Sequence, residues 1–197
     1  MTHLTIEPSI LYFGTPVALI ATRNEDGSAN LAPISSAWAL GYSVVLGLGA
    51  EGQTAANLER TRECTVNLPD AGLWRAVERL APLTGRSPVP AHKRGTFRFE
   101  REKFGAAGLT PQRSQTVAAP RVRECPLQLE ARLVASSPLR SGALAAEVEV
   151  TRVHASPSIV IDGTSHVDVE RWRPLLYVFR HYFGASDHLG KTFRAEA

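Results

Sequence analysis

The chain has 197 residues, of which 44% are hydrophobic and 21% charged, with a net charge of +3. That length suits one substantial domain, and so ordinary a composition excludes disordered, fibrous and disulfide-built proteins. The mild positive balance, mostly arginine, leaves no footprint for nucleic acid and suits local binding of small anions.

The N-terminus, Met1-Thr2-His3-Leu4-Thr5, lacks the basic and then apolar regions of a signal peptide, and no run approaches the ~18 apolar residues of a membrane span. A soluble, cytoplasmic protein with no membrane partner is expected. Residues 16–21 form a β-rich apolar run led by Val17, Leu19 and Ile20. A turn cluster, Asn24-Glu25-Asp26-Gly27, separates it from a second extended run at 29–40, and the Asp-Gly step predicts an antiparallel hairpin. Residues 43–48 read as a third strand. Residues 54–62 read as a short helix with Thr54 as N-cap and Asn57 one turn in. A fourth strand at 64–68 is stopped by Pro69. Residues 70–80 read as a helix whose Leu73, Trp74, Val77 and Leu80 share a core-facing stripe. A loop marked by Pro82, Pro88 and Pro90 ends in His92-Lys93-Arg94, and 104–120 is mostly irregular. Strands follow at 127–135, 143–154 and 158–161. The tail, 168–197, carries Trp172, Tyr177 and Phe179, then His181-Tyr182-Phe183-Gly184. Cys64 and Cys125 lie in apolar, strand-like runs and read as buried free thiols.

Many strands and few helices predict a mainly β chain, with enough antiparallel strands to close a Greek-key-like β-barrel and remove exposed edges. Gly47-Leu48-Gly49-Ala50-Glu51-Gly52 matches the dinucleotide fingerprint G-x-G-x-x-G. The match is isolated: the helix starts after the last glycine, the preceding strands form a hairpin, and strand–helix alternation stops beyond residue 80. These glycines read better as a tight strand-to-helix connection that presents amide N–H groups to a phosphate.

An ordered set of short motifs carries a resemblance. It runs from Gly14-Thr15-Pro16-Val17-Ala18-Leu19 through Asp26-Gly27, Asn30-x-Ala32-Pro33-x-Ser35-Ser36 and Thr54-x-x-Asn57 to Val66-Asn67-Leu68-Pro69. It continues in Lys103-Phe104-x-x-x-Gly108-Leu109-Thr110-Pro111, Glu124-Cys125-Pro126-Leu127-x-Leu129-Glu130 and Glu147-Val148. The chain resembles the flavin reductase-like, flavoredoxin-type family over nearly its whole length. The resemblance implies one FMN-binding split β-barrel domain over 1–197, with the tail 168–197 packed on the barrel or on a dimer partner. It further implies a homodimer with flavin sites near the interface. The implied chemistry is two-electron transfer from NADH or NADPH through FMN to a free flavin, another small acceptor or an electron-transfer partner.

A flavin needs an anion site, hydrogen bonds to its polar edge and an apolar wall. Thr54 and Asn57, at a helix start where free N–H groups and the dipole favour a phosphate, are the expected phosphate ligands. Ser35 and Ser36 offer hydroxyls, one of the pair facing the ligand, and the backbone over Pro33, Ile34, Ser35, Ser36, Ala37 and Trp38 could bond the pyrimidine edge. Arg94, in the basic run, is a further phosphate candidate, and Tyr182 a wall over the ring. Bland roles compete: strand polars for the serines, a plain N-cap for Thr54, core for Trp38 and Trp74, a solvated loop for 92–94. No acid, base or metal is required, because the flavin carries the chemistry; the histidines show no metal-ligand spacing, and Asp187-His188 resembles a triad only in composition. Related reductases often carry Gly-Asp-His before a Gly-Glu-Val strand, where the chain reads Ser141-Gly142-Ala143-Leu144-Ala145-Ala146-Glu147-Val148 without that His or that Gly, and the usual Asp-Pro before the third strand is replaced by Gly41-Tyr42-Ser43. Three readings follow: an FMN-dependent oxidoreductase, an FMN-binding electron carrier with no nicotinamide site, and a barrel that has lost its cofactor.

Overall fold

The computed structural model describes residues 2–184; the Asp187-His188 pair and the rest of the tail lie outside the described residues. In chain order the elements begin with β1 (Phe13–Pro16), β2 (Ala18–Arg23), β3 (Ala29–Ile34), β4 (Ala37–Leu40), β5 (Ser43–Gly49), α1 (Gln53–Thr61), β6 (Glu63–Leu68) and α2 (Trp74–Leu80). They continue with β7 (Leu83–Thr84), β8 (Arg98–Phe99), α3 (Lys103–Ala107), β9 (Pro111–Gln112), β10 (Arg121–Val122), β11 (Leu127–Pro138), β12 (Ala143–Ala155), β13 (Leu175–Val178) and β14 (His181–Gly184). The fold is mostly β and antiparallel.

The largest sheet has the order β3-β2-β6-β11-β12-β5-β4. Its two outer strands, β3 and β4, are consecutive in the chain and separated only by Ser35 and Ser36. One extended stretch therefore pairs with β2 through its first half and with β5 through its second. The sheet closes on itself as a barrel, and the closure leaves no long free edge. This is why the run at 29–40, uniform in its sequence pattern, is broken at the two serines. There the backbone turns from one partner to the other, and the Ser36 carbonyl accepts a 2.6 Å hydrogen bond from the Gly47 amide.

β2 is buried on both faces. Ala18 and Ile20 point into the barrel with Val44, Leu46, Leu48, Leu58, Val66, Ala131, Leu133, Ala146 and Val148. Val17, Leu19 and Ala21 point outward into a second core with Val77 and Leu80 of α2, Phe104 and Ala107 of α3, Val122 and Leu175. The period-2 alternation of strand side chains places two cores on one strand. β13 and β14 join β1 in a small sheet, so the described part of the tail, through Leu175, covers the second core.

Several expectations are corrected. Helix α1 starts at Gln53 behind Gly52, which provides no side-chain cap, so Thr54 lies inside the first turn. The helix expected at 70–80 is divided: Asp70 accepts from the Gly72 amide and caps a single 3₁₀ turn, Ala71–Leu73, before α2 begins. The strand expected at 158–161 is another 3₁₀ turn, Pro157–Ile159, capped by Ser156. Trp38 and Trp74, expected in the core, are 59% and 37% exposed. Both cysteines are buried and free. No helix among the described residues is long and apolar enough to cross a membrane.

Candidate functional site

A groove runs along the outside of the barrel between the bend at Ser35–Ser36 and α2. It has two compartments. The wider one, about 420 Å³, is lined by Tyr12, Val17, Pro33, Ile34, Ser35, Ser36, Gly47, Val77, Ala81, Phe97, Tyr177 and Tyr182. The narrower one, about 160 Å³, is bounded by Gly49, Gly52, Gln53, Thr54, Thr84, Gly85, Lys93 and Lys103. Pro33, Ile34, Ala81 and Phe97 line both, so the compartments run end to end.

The narrow end gathers N–H donors and a cation. The turn from β5 closes through a hydrogen bond from the Gly52 amide to the Gly49 carbonyl. The first intrahelical bond of α1 runs from Ala56 to Gly52, which leaves the amides of Gln53, Thr54 and Ala55 without helical partners, at the positive end of the dipole. Thr54 Oγ1 accepts from Asn30 Nδ2 at 3.0 Å, and its own hydrogen remains to be donated. Opposite stands Lys103, the first residue of α3 and 3% exposed. Among the described residues nothing hydrogen-bonds to or ion-pairs with its ammonium. Burial, with Lys93 adding to it against Glu100, lowers the Lys103 pKa to about 8. An unpaired buried ammonium is costly, and an anion in this compartment would offset that cost. Lys93 Nζ lies 5.4 Å from the centre of the Phe97 ring at the same end.

The wide end suits a flat ring. Val17, Ile34, Val77, Ala81 and Phe97 supply apolar surface, and three tyrosines close the far side. Tyr12 and Tyr177 meet edge to face at 5.6 Å between ring centres, and Tyr177 and Tyr182 at 5.5 Å. Tyr12 Oη and Ser36 Oγ share a hydrogen bond of 2.9 Å, and Tyr182 donates to Glu78 Oε2 at 3.0 Å. Burial, reinforced by Glu78, pushes the Tyr182 phenol well above its ordinary pKa, so it stays a neutral donor. Gly47 permits the bend: a Cβ there would lie 2.6 Å from Ser36 Cβ.

The geometry brings Pro33, Ile34, Ser35, Ser36, Thr54 and Tyr182 into one groove. It leaves four expected residues outside. Asn57 is buried and fully committed: its amide donates to Thr22 Oγ1 at 3.0 Å and to Asn24 Oδ1 at 2.8 Å, and its oxygen accepts from Gln53. Ala37 faces the barrel interior. Trp38, its neighbour on β4, faces out of the barrel because strand side chains alternate, and it does not line the groove. Arg94 is exposed and its guanidinium reaches the Val89 carbonyl, so the basic run contributes Lys93 instead. Sequence reasoning assigned neither Lys103 nor Tyr12 to the site, and Tyr12 had no local signal. The Lys103-Phe104 pair was visible as a motif, and its apolar surroundings at 104–109 were the one hint that this lysine is buried.

A larger polar cleft, about 680 Å³, opens elsewhere around Arg121, Gln128 and His154. Two of its polar groups are engaged within the protein: Arg121 donates to Gln128 and to the Arg113 carbonyl, and His154 pairs with Glu130 at 2.7 Å. It has no apolar wall comparable to that of the groove.

The family profile described as "Flavin reductase like domain" matches residues 10–186. The chain belongs to the flavin reductase-like family. The uncharacterized protein YdfE of Bacillus subtilis (strain 168) is 43% identical over 194 residues, which cover 97% of this chain and 93% of that one. Among solved structures, flavoredoxin of Desulfovibrio vulgaris (Miyazaki F) superposes with a TM-score of 0.81 at 22% identity, covering 99% of both chains. Nitrilotriacetate monooxygenase component B from Bacillus cereus gives 0.77 at 18% identity, over 97% of this chain and 100% of that one. A Shewanella frigidimarina NCIMB 400 protein described as having a split barrel domain gives 0.70 at 20% identity, over 92% and 87%. The architecture is thus the split barrel, and family membership gives the protein a flavin-related oxidoreductase role.

Proposed function

We propose that this flavin reductase-like protein binds FMN in the two-compartment groove, takes electrons from NADH or NADPH, and passes them to a free flavin or another small acceptor. The observation that carries the reading is Lys103, a buried ammonium with no partner among the described residues, facing the open N-terminus of α1 across a space of about 160 Å³. The residues fit the cofactor. The first-turn amides of α1, the Thr54 hydroxyl and Lys103 would hold the phosphate. Ile34, Val77, Ala81 and Phe97 would pack the ring, with Ser35, Ser36 and Tyr12 at its polar edge. When bound, the flavin supplies two-electron acceptance and donation. The chain's part is to hold the ring at a fixed depth, to exclude water with the tyrosine wall, and to leave one face of the wide compartment open.

A homodimer belongs to the proposal. Trp38, Leu40 and Tyr42 are 59%, 74% and 70% exposed on and just beyond β4, and Leu11 and Phe13 are 68% and 78% exposed around neighbouring β1. So much large apolar surface beside the open groove is what a second copy would cover.

The test is direct. The purified protein is expected to carry or take up FMN, seen as flavin absorbance in the visible, and to be bleached anaerobically by NADH or NADPH. Protein that binds no added FMN would overturn the proposal. FMN that binds but bleaches only with a reduced protein partner would assign the electron-carrier reading, which the lack of a Gly-Asp-His element over residues 141–148 favours.

A further inference from the structure

Behind the phosphate compartment lies another space of about 390 Å³, lined by Asn24, Asp26, Arg86, Phe99 and Arg101 among others. The two spaces have Gln53 and Gly85 in common, so these residues form one wall between them. The wall is tight. A Cβ on Gly85 would fall 2.6 Å from Asn30 Oδ1 and 3.3 Å from Gln53 Cβ and Cγ. Its parts are fixed from behind: Asn30 is buried and spends both amide hydrogens on Thr22 and Thr54, and Gln53 donates to Asn57 at 2.8 Å.

We propose that the wall formed by Gly85, Gln53 and Asn30 determines which flavin the site accepts: it ends the groove at a terminal phosphate, admitting FMN and refusing FAD. The inference rests on the flavin reading above and deepens it. A phosphate monoester carries about −1.5 to −2 charge at pH 7 and three free acceptor oxygens. The compartment offers a matching set, in the α1 amides, the Thr54 hydroxyl and Lys103. In a dinucleotide flavin one of those oxygens continues into a second phosphate and an adenosine. A continuation straight on from the phosphate runs into Gly85 and Gln53, which stand between the two spaces. The space beyond is itself chemically hospitable to an adenylate, since it holds the Phe99 ring, Arg86, and Arg101, which is paired with Asp26. The wall, and not the lack of a place to go, therefore sets the refusal.

Binding of riboflavin, FMN and FAD to the full-length protein, read by quenching of flavin fluorescence, tests this. The wild type is expected to bind FMN at least about tenfold more tightly than either of the others, a difference of one decade in Kd. Gln53→Ala removes the side chain that closes the wall and is expected to recover FAD binding while FMN changes less. Equal affinity of the wild type for FMN and FAD would overturn the wall and leave the flavin reading standing. So would a folded Gln53→Ala protein, verified by its circular dichroism, that refuses FAD as strongly as the wild type. Failure to bind any of the three flavins would overturn both. The wild-type ranking needs no variant, so the inference stays falsifiable even if Gln53→Ala does not fold.

Discussion

Lys103 carries both the expected affinity and its pH dependence. Lys103→Met removes the ammonium and keeps the apolar length, so FMN should bind more weakly by about 1.5–3 kcal/mol, the scale of a charge-assisted hydrogen bond; a fluorescence titration measures it. Burial has lowered the folded-state pKa to about 8. The ammonium needed by a phosphate is thus lost as pH rises through about 8, and FMN affinity should fall there, with Lys93 and Glu100 the charged groups beside it. The stability of the ligand-free protein moves the other way. The folded state binds fewer protons than the unfolded state between about 8 and the ordinary lysine value of 10.5, so stability rises with pH across that window. Chemical denaturation at a series of pH values checks the sign. Asn57 behaves differently, because it does not itself line the groove and is spent on Thr22, Asn24 and Gln53 behind it. Asn57→Ala should cost about 2–3 kcal/mol of stability by stranding buried partners, measured by urea unfolding, while Thr54→Ala should weaken FMN with a smaller loss of stability.

Among the elements, the loop between β9 and β10 is held to the barrel by two carboxylates: Glu63 of β6 accepts from the Ala118 amide at 2.8 Å, and the buried Glu130 takes the larger share. Glu130 of β11 is fully buried and accepts hydrogen bonds from the Gln115 amide at 2.8 Å, from the Thr116 amide and hydroxyl at 2.5 and 2.6 Å, and from His154 Nε2 at 2.7 Å. Burial alone would raise its pKa. The bonds from Thr116, Gln115 and His154 outweigh that and bring it down to about 2. The folded pKa is depressed, so the contribution is present above the ordinary value of 4.5 and is lost as pH falls through about 2. Glu130→Gln should lower stability at neutral pH by about 2–4 kcal/mol. The gap to the wild type should narrow as acid protonates Glu130, and amide hydrogen exchange at Gln115 and Thr116 should speed up. A variant as stable as the wild type at pH 7 would show that the carboxylate does not hold the loop. This role had no local sequence signature. Glu130 sits in an alternating strand pattern where a carboxylate is usually solvated, and its donors arrive only in the fold, from residues 115–116 returning across β11 and from His154 on the paired strand β12.

At the scale of the whole molecule, the apolar surface at Trp38, Leu40, Tyr42, Leu11 and Phe13 predicts association. Light scattering should give twice the 21.4 kDa chain mass, and Trp38→Glu together with Leu40→Glu should shift the protein toward monomer. A wild type that stays monomeric at high concentration would remove the dimer from the proposal. The class of the fold was legible because alternation with a period of two survives in any antiparallel pairing. The strand runs at 29–40, 43–48, 64–68, 127–135 and 143–154 therefore fall on strands within a few residues. The glycines at 47, 49 and 52 were legible as a connection because no parallel unit surrounded them. The sequence by itself thus determined the long antiparallel strands and the glycine turn that precedes α1. Only the tertiary structure decided that the run at 29–40 breaks at Ser35–Ser36 to close the barrel, that Asn57 turns inward while Thr54 faces the groove, and that Lys103 arrives opposite them. Local pattern records the preferences of neighbours in the chain. A lysine about fifty residues from the helix it faces is brought there by packing between α3 and the second core, and nothing in its own neighbourhood encodes that distance.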